Sequence, residues 1–407
     1  MAAGALAVWL GDERVGTLER AGRRFQVRFT PAPGVATALS VATGPGADPW
    51  TPVRTRAWFD NLLPEEGRRT AAETAHGVER GDTFGLLAAI GWECAGAVSV
   101  LPGDRLPASG DYQPLNDEEV WARLDALPRV LAETDREVRL SLGGAQEKLL
   151  LARFDAGWLL PRSGAVSTHI LKPEPERYPG LAAGEAWSLA VASAATPVAT
   201  AQLAEPAGHR PVLVVQRYDR VVEGESVRRR HQEDGCQVLG LPPEQKYPVG
   251  SGSREASLAR IAAVLVARGA DPERDLRRLL AQTTVNVALL NTDAHAKNVS
   301  VLHAGPRSVE LAPMYDVAPT AWFLPAQARA ALPVGGKWKI TEMTRGHLLA
   351  EARAWGVPDV VARAVIGDTL DAVATGTDAA DIRFPSTPAG MREVVLGQIH
   401  RLAASGW

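Results

Sequence analysis

The sequence predicts an α+β fold. Two observations carry that reading. Strand-like segments precede helical ones both in the opening hundred residues and from residue 140 onward, whereas a doubly wound parallel sheet would alternate them. The last hundred residues then read as amphipathic helices suited to covering a catalytic half. With 407 residues, 46% of them apolar and 22% charged, the chain has material for one large or two moderate cores.

Residues 5–10, 14–19 and 25–30 alternate apolar and polar side chains between Gly-Asp and Gly-Arg turns, which predicts a small antiparallel sheet. Helical spacing follows over 55–76 and 83–90, with Gly91 in a capping position, and this first unit ends near Pro102. The Pro/Gly-rich stretch 101–114 reads as a connector before a helix that starts around Asn116-Asp117. From Leu140 the order is strand, glycine-rich turn, two strands, helix and strand. Helical periodicity then dominates 254–290 and returns over 346–355, 360–374 and 391–403.

A net charge of −3 argues against a surface that binds nucleic acid by neutralising phosphates. The one dense basic patch, Arg228-Arg229-Arg230-His231, reads as a solvated loop edge without a function. Cys94 and Cys236 fit no metal or redox spacing, so a reducing cytoplasm is expected. Residues 1–10 lack a basic start, and no apolar run approaches the roughly 18–20 residues of a membrane span, so a soluble protein that is not exported is expected. Neither His-Glu-x-x-His nor Gly-x-Ser-x-Gly occurs, which sets metalloprotease and acyl-transfer readings aside.

The segment Asn291-Thr292-Asp293-Ala294-His295-Ala296-Lys297-Asn298 carries the most information. Phosphoryl transfer from ATP needs a carboxylate to orient or accept the proton of the attacking hydroxyl, and an amide oxygen five residues on can ligate the bridging metal. Asp293 and Asn298 fit those roles, and Lys297 could offset charge on the transferred phosphate. A polar helix cap is the alternative. Asp316, a lone acid in the apolar run 311–318, must be paired or metal-bound and is a candidate second magnesium ligand, with Tyr315 either beside the nucleotide or in the core. Ser141 to Lys148 form a glycine-rich turn, either a phosphate loop or a plain hairpin. Lys172 ends a short strand and could meet the α- and β-phosphates with Glu185 holding it, or simply be solvated. Residues 212–220 form a strand that turns polar, suited to an adenine hinge, with Asp219 and Arg220 as a structural pair.

In wording and order these segments resemble the HipA-type kinases over nearly the whole chain. The resemblance rests on residues 141–148, 168–172, His231-Gln232-Glu233-Asp234, 291–298, 314–317 and Gly335-Gly336-Lys337, with 58–65 and 82–87 resembling that family's amino-terminal subdomain. It implies a two-subdomain, protein-kinase-like fold: an amino-terminal subdomain over 1–105, an N-lobe-like region over 106–225 and a helical C-lobe over 226–407. It also implies ATP and Mg2+ as cofactors and serine/threonine phosphorylation. Asp293 would be the catalytic aspartate, and Asn298 and Asp316 would bind magnesium. Leu142, Gly143, Gly144, Ala145, Gln146, Glu147 and Lys148 would form the phosphate loop. Lys172, His295 and Tyr315 would contact nucleotide, Gln216, Arg217 and Tyr218 would be the hinge, and Ser141 would be an autophosphorylation site that switches the enzyme off. The partners so implied are a HipB-like helix-turn-helix antitoxin, through which alone DNA is met, and a translation protein such as glutamyl-tRNA synthetase. A kinase of another substrate, or a catalytically silent co-repressor, are the competing readings; the presence of the lysine, the aspartate and both metal ligands speaks against the latter.

Overall fold

The structure, a computed structural model, describes residues 4–407 apart from 23–24, 36, 44–47, 104, 108–109, 128–145, 156, 163, 225 and 249–254. Strands β1 (Ala5–Leu10), β2 (Glu13–Arg20) and β3 (Val27–Pro31) precede helices α1 (Pro52–Asp60), α2 (Glu66–Ala75) and α3 (Thr83–Ile90), and β4 (Val98–Pro102) completes an antiparallel sheet of order β3-β2-β1-β4. The helix expected over 55–76 is thus two helices. Residues 61–65 break it because Pro64 can supply no amide hydrogen to a continuing helix, and the turn aims Asn61 and Glu65 at the rest of the molecule. Trp58, Phe59, Leu62 and Phe84 pack on the sheet in a core of their own.

A second antiparallel sheet is built from β5 (Asp111–Leu115), β6 (Leu149–Phe154), β7 (Gly157–Arg162), β8 (His169–Pro173), β9 (Ala201–Ala204) and β10 (Val212–Gln216), in the order β5-β7-β6-β8-β10-β9. Strand β5 lies inside the stretch read as a connector. It is an edge strand, where Pro114 is tolerated, and its weak apolar alternation hides it. Helix α4 (Asp117–Asp125) starts on an Asn116/Glu119 capping box, as expected. Helix α5 (Leu181–Ser193) crosses between β8 and β9 and packs on β9 and β10.

The helical half follows a hairpin of β11 (Arg220–Glu223) and β12 (Ser226–Arg229). It contains β13 (Gln232–Asp234), α6 (Gly235–Leu239), α7 (Leu258–Arg268), α8 (Pro272–Ala288), β14 (Ser300–His303), β15 (Val309–Leu311), α9 (Thr320–Phe323), β16 (Arg329–Val334) and β17 (Lys337–Lys339), then α10 (Arg345–Ala354), α11 (Asp359–Arg383) and α12 (Ala389–Ala404). The periodicity over 254–290 resolves into two helices, broken at residues 269–271 with Pro272 in the first turn of α8. Helix α11 packs on both α5 and α8, bracing the helix that carries Glu185 and the one that delivers the 291–298 segment. Among the described residues no helix is long and apolar enough to cross a membrane.

The basic patch at 228–231 is not a solvated edge. Arg229 donates to Ser99 Oγ and to the Trp92 and Val98 carbonyls, Arg230 pairs with Glu310, and buried His231 bonds the Leu39 carbonyl through Nε2. Three of the four residues are therefore mortar, two of them fastening the first unit to the rest. A charge run in sequence does not reveal carbonyls that only packing brings near.

Candidate active site

A cleft of about 400 Å³ lies between the second sheet and the helical half, lined by Lys148, Lys172, Glu185, Gln216, Asp293, His295, Asn298, Tyr315 and Asp316 among others. Lys172, from the end of β8, is buried, which excludes the solvated alternative; its Nζ donates to Glu185 Oε1 at 2.8 Å and to Asp316 Oδ1 at 2.5 Å. Burial disfavours the charged amine, but the two carboxylates outweigh it and raise its pKa. Burial also lifts Glu185, to about 7, against the pull of Lys172. Asp316 goes the other way: burial would raise it, yet Lys172 and, more weakly, Lys148 and His295 bring it to about 2. Its backbone is left-handed, φ 59°, a conformation aspartate tolerates better than most residues and one that recurs at functional sites.

Across the cleft, Asp293 is exposed at the mouth. Its Oδ1 accepts from Tyr247 Oη at 2.9 Å, and its backbone carbonyl accepts from Asn298 Nδ2 at 2.8 Å and from the His295 amide at 2.7 Å. The Asn298 amide is thereby oriented with its nitrogen committed and its Oδ1 left for another partner. His295, one of the residues lining the cleft, is buried edge-on to Tyr247, with burial lowering its pKa and no protein hydrogen-bond partner for its buried Nδ1. Tyr315 Oη lies 2.5 Å from Ser300 Oγ and 2.6 Å from the Lys297 carbonyl, and its ring stacks obliquely on Tyr218 at 5.5 Å.

Two expected residues border the cleft but commit their charged ends to protein partners. Lys297 Nζ is held by Asn61 Oδ1 at 2.8 Å, the Asn61 carbonyl at 3.1 Å and Asp234 Oδ2 at 2.9 Å; burial opposes its charge, while Asp234 and Glu65 raise its pKa. Arg217 bonds its backbone amide to the Thr168 carbonyl and turns its guanidinium into a buried cluster with Glu93, Asp219 and Ser167. Gln216, Arg217 and Tyr218 all border the cleft, and Tyr218 Oη donates to Gln232. Of the glycine-rich turn, Ser141, Leu142, Gly143, Gly144 and Ala145 lie outside the described residues. Its end is visible: Arg68 donates to the Gln146 carbonyl, Glu147 pairs with Arg210, and buried Lys148 lines the cleft. Burial first, then Arg68 and Lys172, lowers Lys148 to about 7.

Sequence reasoning missed Asn61, Glu65, Tyr247 and Lys246. Glu65 accepts from Lys246 at 2.8 Å; burial is overcome by Lys297 and Lys246, so its pKa is lowered. Asn61 and Glu65 sit inside residues 58–65, and the apolar residues of that segment drew attention away from its polar ones. Tyr247 had no local signal.

The donor set suits a nucleotide with Mg2+. Asn298 Oδ1 and the Asp316 carboxylate, two-fifths exposed, are hard oxygens of the kind magnesium takes from a protein that otherwise leaves it to phosphates and water. Lys172 and Lys148 would face the phosphates.

Comparison with known proteins gives the family and the fold. Residues 140–377 match the HipA-like C-terminal domain and 6–101 the HipA N-terminal domain. The protein Y4mE of Sinorhizobium fredii is 36% identical over 346 residues, covering 83% of this chain and 81% of the relative. The serine/threonine-protein kinase toxin HipA of Shewanella oneidensis is 29% identical over 309 residues, 73% of this chain and 70% of that one. A solved Shewanella oneidensis HipA, in complex with HipB and its operator DNA, superposes with a TM-score of 0.83 at 24% identity, over 98% of this chain and 96% of that one. With both domains matched in order and the fold shared throughout, the chain belongs to the HipA family.

Proposed function

We propose that this protein is an ATP- and Mg2+-dependent serine/threonine protein kinase and the toxin half of a toxin–antitoxin pair. The observation that carries the reading is the Lys172–Glu185–Asp316 cluster facing the same cleft as Asp293 and Asn298. ATP would supply the phosphoryl group and Mg2+ would offset its charge. Asp293, exposed at the mouth and steadied by Tyr247, holds the proton of the incoming hydroxyl. Lys172, fixed by Glu185, orients the α- and β-phosphates. Asn298 and Asp316 hold the metal, and Lys297 has a positioning role through Asn61 and Asp234. Ser141 is the proposed autophosphorylation site; a dianion there would repel bound phosphates.

The relative named a kinase toxin, and the solved complex with HipB and operator DNA, support a small helix-turn-helix antitoxin as partner, with DNA met only through it. We place the protein in the cytoplasm, where ATP and a translation-protein substrate reside. Glutamyl-tRNA synthetase is one candidate to look for among the products.

The test compares wild type with Asp293→Asn, each given Mg-ATP and a cell lysate and read by intact mass and phosphosite analysis. The expected result is a phosphate on Ser141 and on at least one lysate protein with wild type only. The variant should lose about 10²–10⁴-fold in transfer rate while keeping Mg-ATP thermal stabilisation, which at a hundredfold excess over Kd is about 2.7 kcal/mol. Retained transfer in the variant would remove Asp293 from its role. Wild type that is neither stabilised nor phosphorylated would leave the co-repressor reading.

A further inference from the structure

Asn298 and Asp316, the two residues placed at the metal, stand on the two arms of one hairpin. Strand β14 follows Asn298 and pairs antiparallel with β15, which leads on to Asp316. The pairing ends where the Ala312 amide bonds the Ser300 carbonyl at 2.9 Å. Beyond that point the arms part, because Pro313 has no amide hydrogen to give and Met314 bonds Pro197 and Ala199 instead. The strand ladder therefore stops short of both candidate ligands.

A side chain rejoins the arms. Tyr315 Oη donates to the Lys297 carbonyl at 2.6 Å and lies 2.5 Å from Ser300 Oγ. A phenol carries a single hydrogen and a carbonyl only accepts, so that hydrogen goes to Lys297 and the Ser300 hydroxyl donates to Tyr315. The bond thus runs from the residue before Asp316 to the residue before Asn298. Among the described residues it is the one hydrogen bond between 313–316 and 296–298. The other anchors of each arm lead elsewhere: Lys297 Nζ to Asn61 and Asp234, Asn298 Nδ2 to the Asp293 carbonyl, and Asp316 Oδ1 to Lys172. Asp316 is also left-handed, φ 59°, a conformation that persists only where its surroundings hold it. The Tyr315 ring has a separate occupation, lying obliquely on Tyr218 at 5.5 Å, so ring and hydroxyl are separable by mutation.

We propose that the Tyr315 hydroxyl is a positioning group for the metal: by bonding the Lys297 carbonyl it sets the separation of Asn298 from Asp316, and Ser300 keeps it turned toward that carbonyl. The proposal rests on the kinase reading above, in which those two residues hold Mg2+. Magnesium tolerates little departure from octahedral geometry, so ligands on two arms that are free to spread hold it poorly. A phenylalanine at this position keeps the ring against Tyr218 and leaves the Lys297 carbonyl without its donor. Groups that orient metal ligands in this way are typically worth about 10–100-fold in metal affinity. A tyrosine that merely fills space beside the nucleotide has no use for its oxygen, and its loss would leave metal affinity alone.

The test uses full-length, phosphatase-treated wild type, Tyr315→Phe and Ser300→Ala. Each is saturated with a non-hydrolysable ATP analogue and titrated with Mn2+ as the probe, bound metal being read by electron paramagnetic resonance. Affinity for the analogue in EDTA is measured separately. Tyr315→Phe is expected to bind Mn2+ about tenfold more weakly or worse, and to need correspondingly more Mg2+ for half-maximal transfer. Its metal-free affinity for the analogue should stay within about twofold of wild type, and Ser300→Ala should weaken Mn2+ by about threefold. Wild-type Mn2+ affinity in Tyr315→Phe would overturn the proposal while leaving the kinase reading intact. An equal loss of metal-free analogue affinity would overturn it too, since that marks a change of the whole cleft. Should Tyr315→Phe fail to fold, Ser300→Ala decides by the same comparison. Wild type that binds neither the analogue nor Mn2+ would overturn both the proposal and the kinase reading.

Discussion

Lys148 is held near neutrality by its surroundings: burial, then Arg68 and Lys172, bring it to about 7. A phosphate group reaching it would favour the ammonium form, so nucleotide binding should draw a proton from solution at pH values above that midpoint. Calorimetric titration of Mg-ATP at pH 7.5 in buffers of different ionisation enthalpy is expected to show uptake of about half a proton or more. The uptake should vanish below about pH 6, where the amine is already charged, and should be absent in Lys148→Met. Buffer-independent heats at pH 7.5 would mean that Lys148 does not meet the phosphates. Lys172 behaves differently although it is as deeply buried, because two carboxylates keep it charged at every pH at which the protein would be assayed.

At the scale of elements, the 291–298 segment is positioned by how α8 ends and by what α6 leaves room for. The Asn291 amide bonds the Asn286 carbonyl and the Leu290 amide the Val287 carbonyl, a Schellman arrangement in which Leu290 takes the left-handed place usually given to glycine, φ 56°. The cost of that conformation is about 1–2 kcal/mol, offset by burying the leucine side chain, about 1.5–3 kcal/mol; it is 2% exposed. Gly235 opens α6 against the same segment: its amide bonds the Val299 carbonyl, and a Cβ there would stand 2.4 Å from the Ala296 carbonyl. Its neighbour Asp234 caps α6 through Oδ1 while Oδ2 holds Lys297. Gly235→Ala is therefore expected to push residues 296–298 away from the cleft. It should cost about 1–3 kcal/mol of stability by urea denaturation and at least tenfold in phosphotransfer rate, with the KM for ATP changed less. A variant with full transfer would show that the segment tolerates the displacement.

The whole molecule is joined by buried polar groups rather than by a continuous apolar core. Glu93 of the first unit accepts from the Ser167 amide and hydroxyl at 2.7 and 2.6 Å and from Arg217 at 3.2 Å. Asp219 receives Arg217, Arg220 and the Gly96 amide. Glu233 accepts from Trp58 Nε1 and the Val41 amide, both at 2.8 Å, and meets His303. Together with the Lys297–Asn61 and Lys246–Glu65 bonds, these fix the first unit across both lobes, while Arg68 touches the end of the glycine-rich turn. Removing one partner of such a buried pair typically costs about 3–5 kcal/mol. Glu93→Ala is expected to destabilise by about that much and to open the junction near residues 101–110 to limited proteolysis before the helical half unfolds. Equal proteolytic resistance in the variant would show that the apolar contacts suffice.

The sequence by itself determined what depends on neighbours in the chain: the strand-first order of each half, the capping box at Asn116, the Asp293–Asn298 spacing and the lysine ending β8. These are set by side-chain periodicity and by short-range hydrogen bonding, and both are written locally. It also determined the family, because the order of the motifs survives without their geometry. Only tertiary structure decided which polar side chains meet. Lys297 finds Asn61 across 236 positions and Arg217 finds Glu93 across 124, so the charged ends of an expected catalytic residue and an expected hinge residue bond to the first unit. Pro64 broke a helix that apolar spacing alone would have continued, and a Pro-containing edge strand passed for a connector. Burial creates the strongest pairings by removing water as a competitor, and burial belongs to the folded chain as a whole.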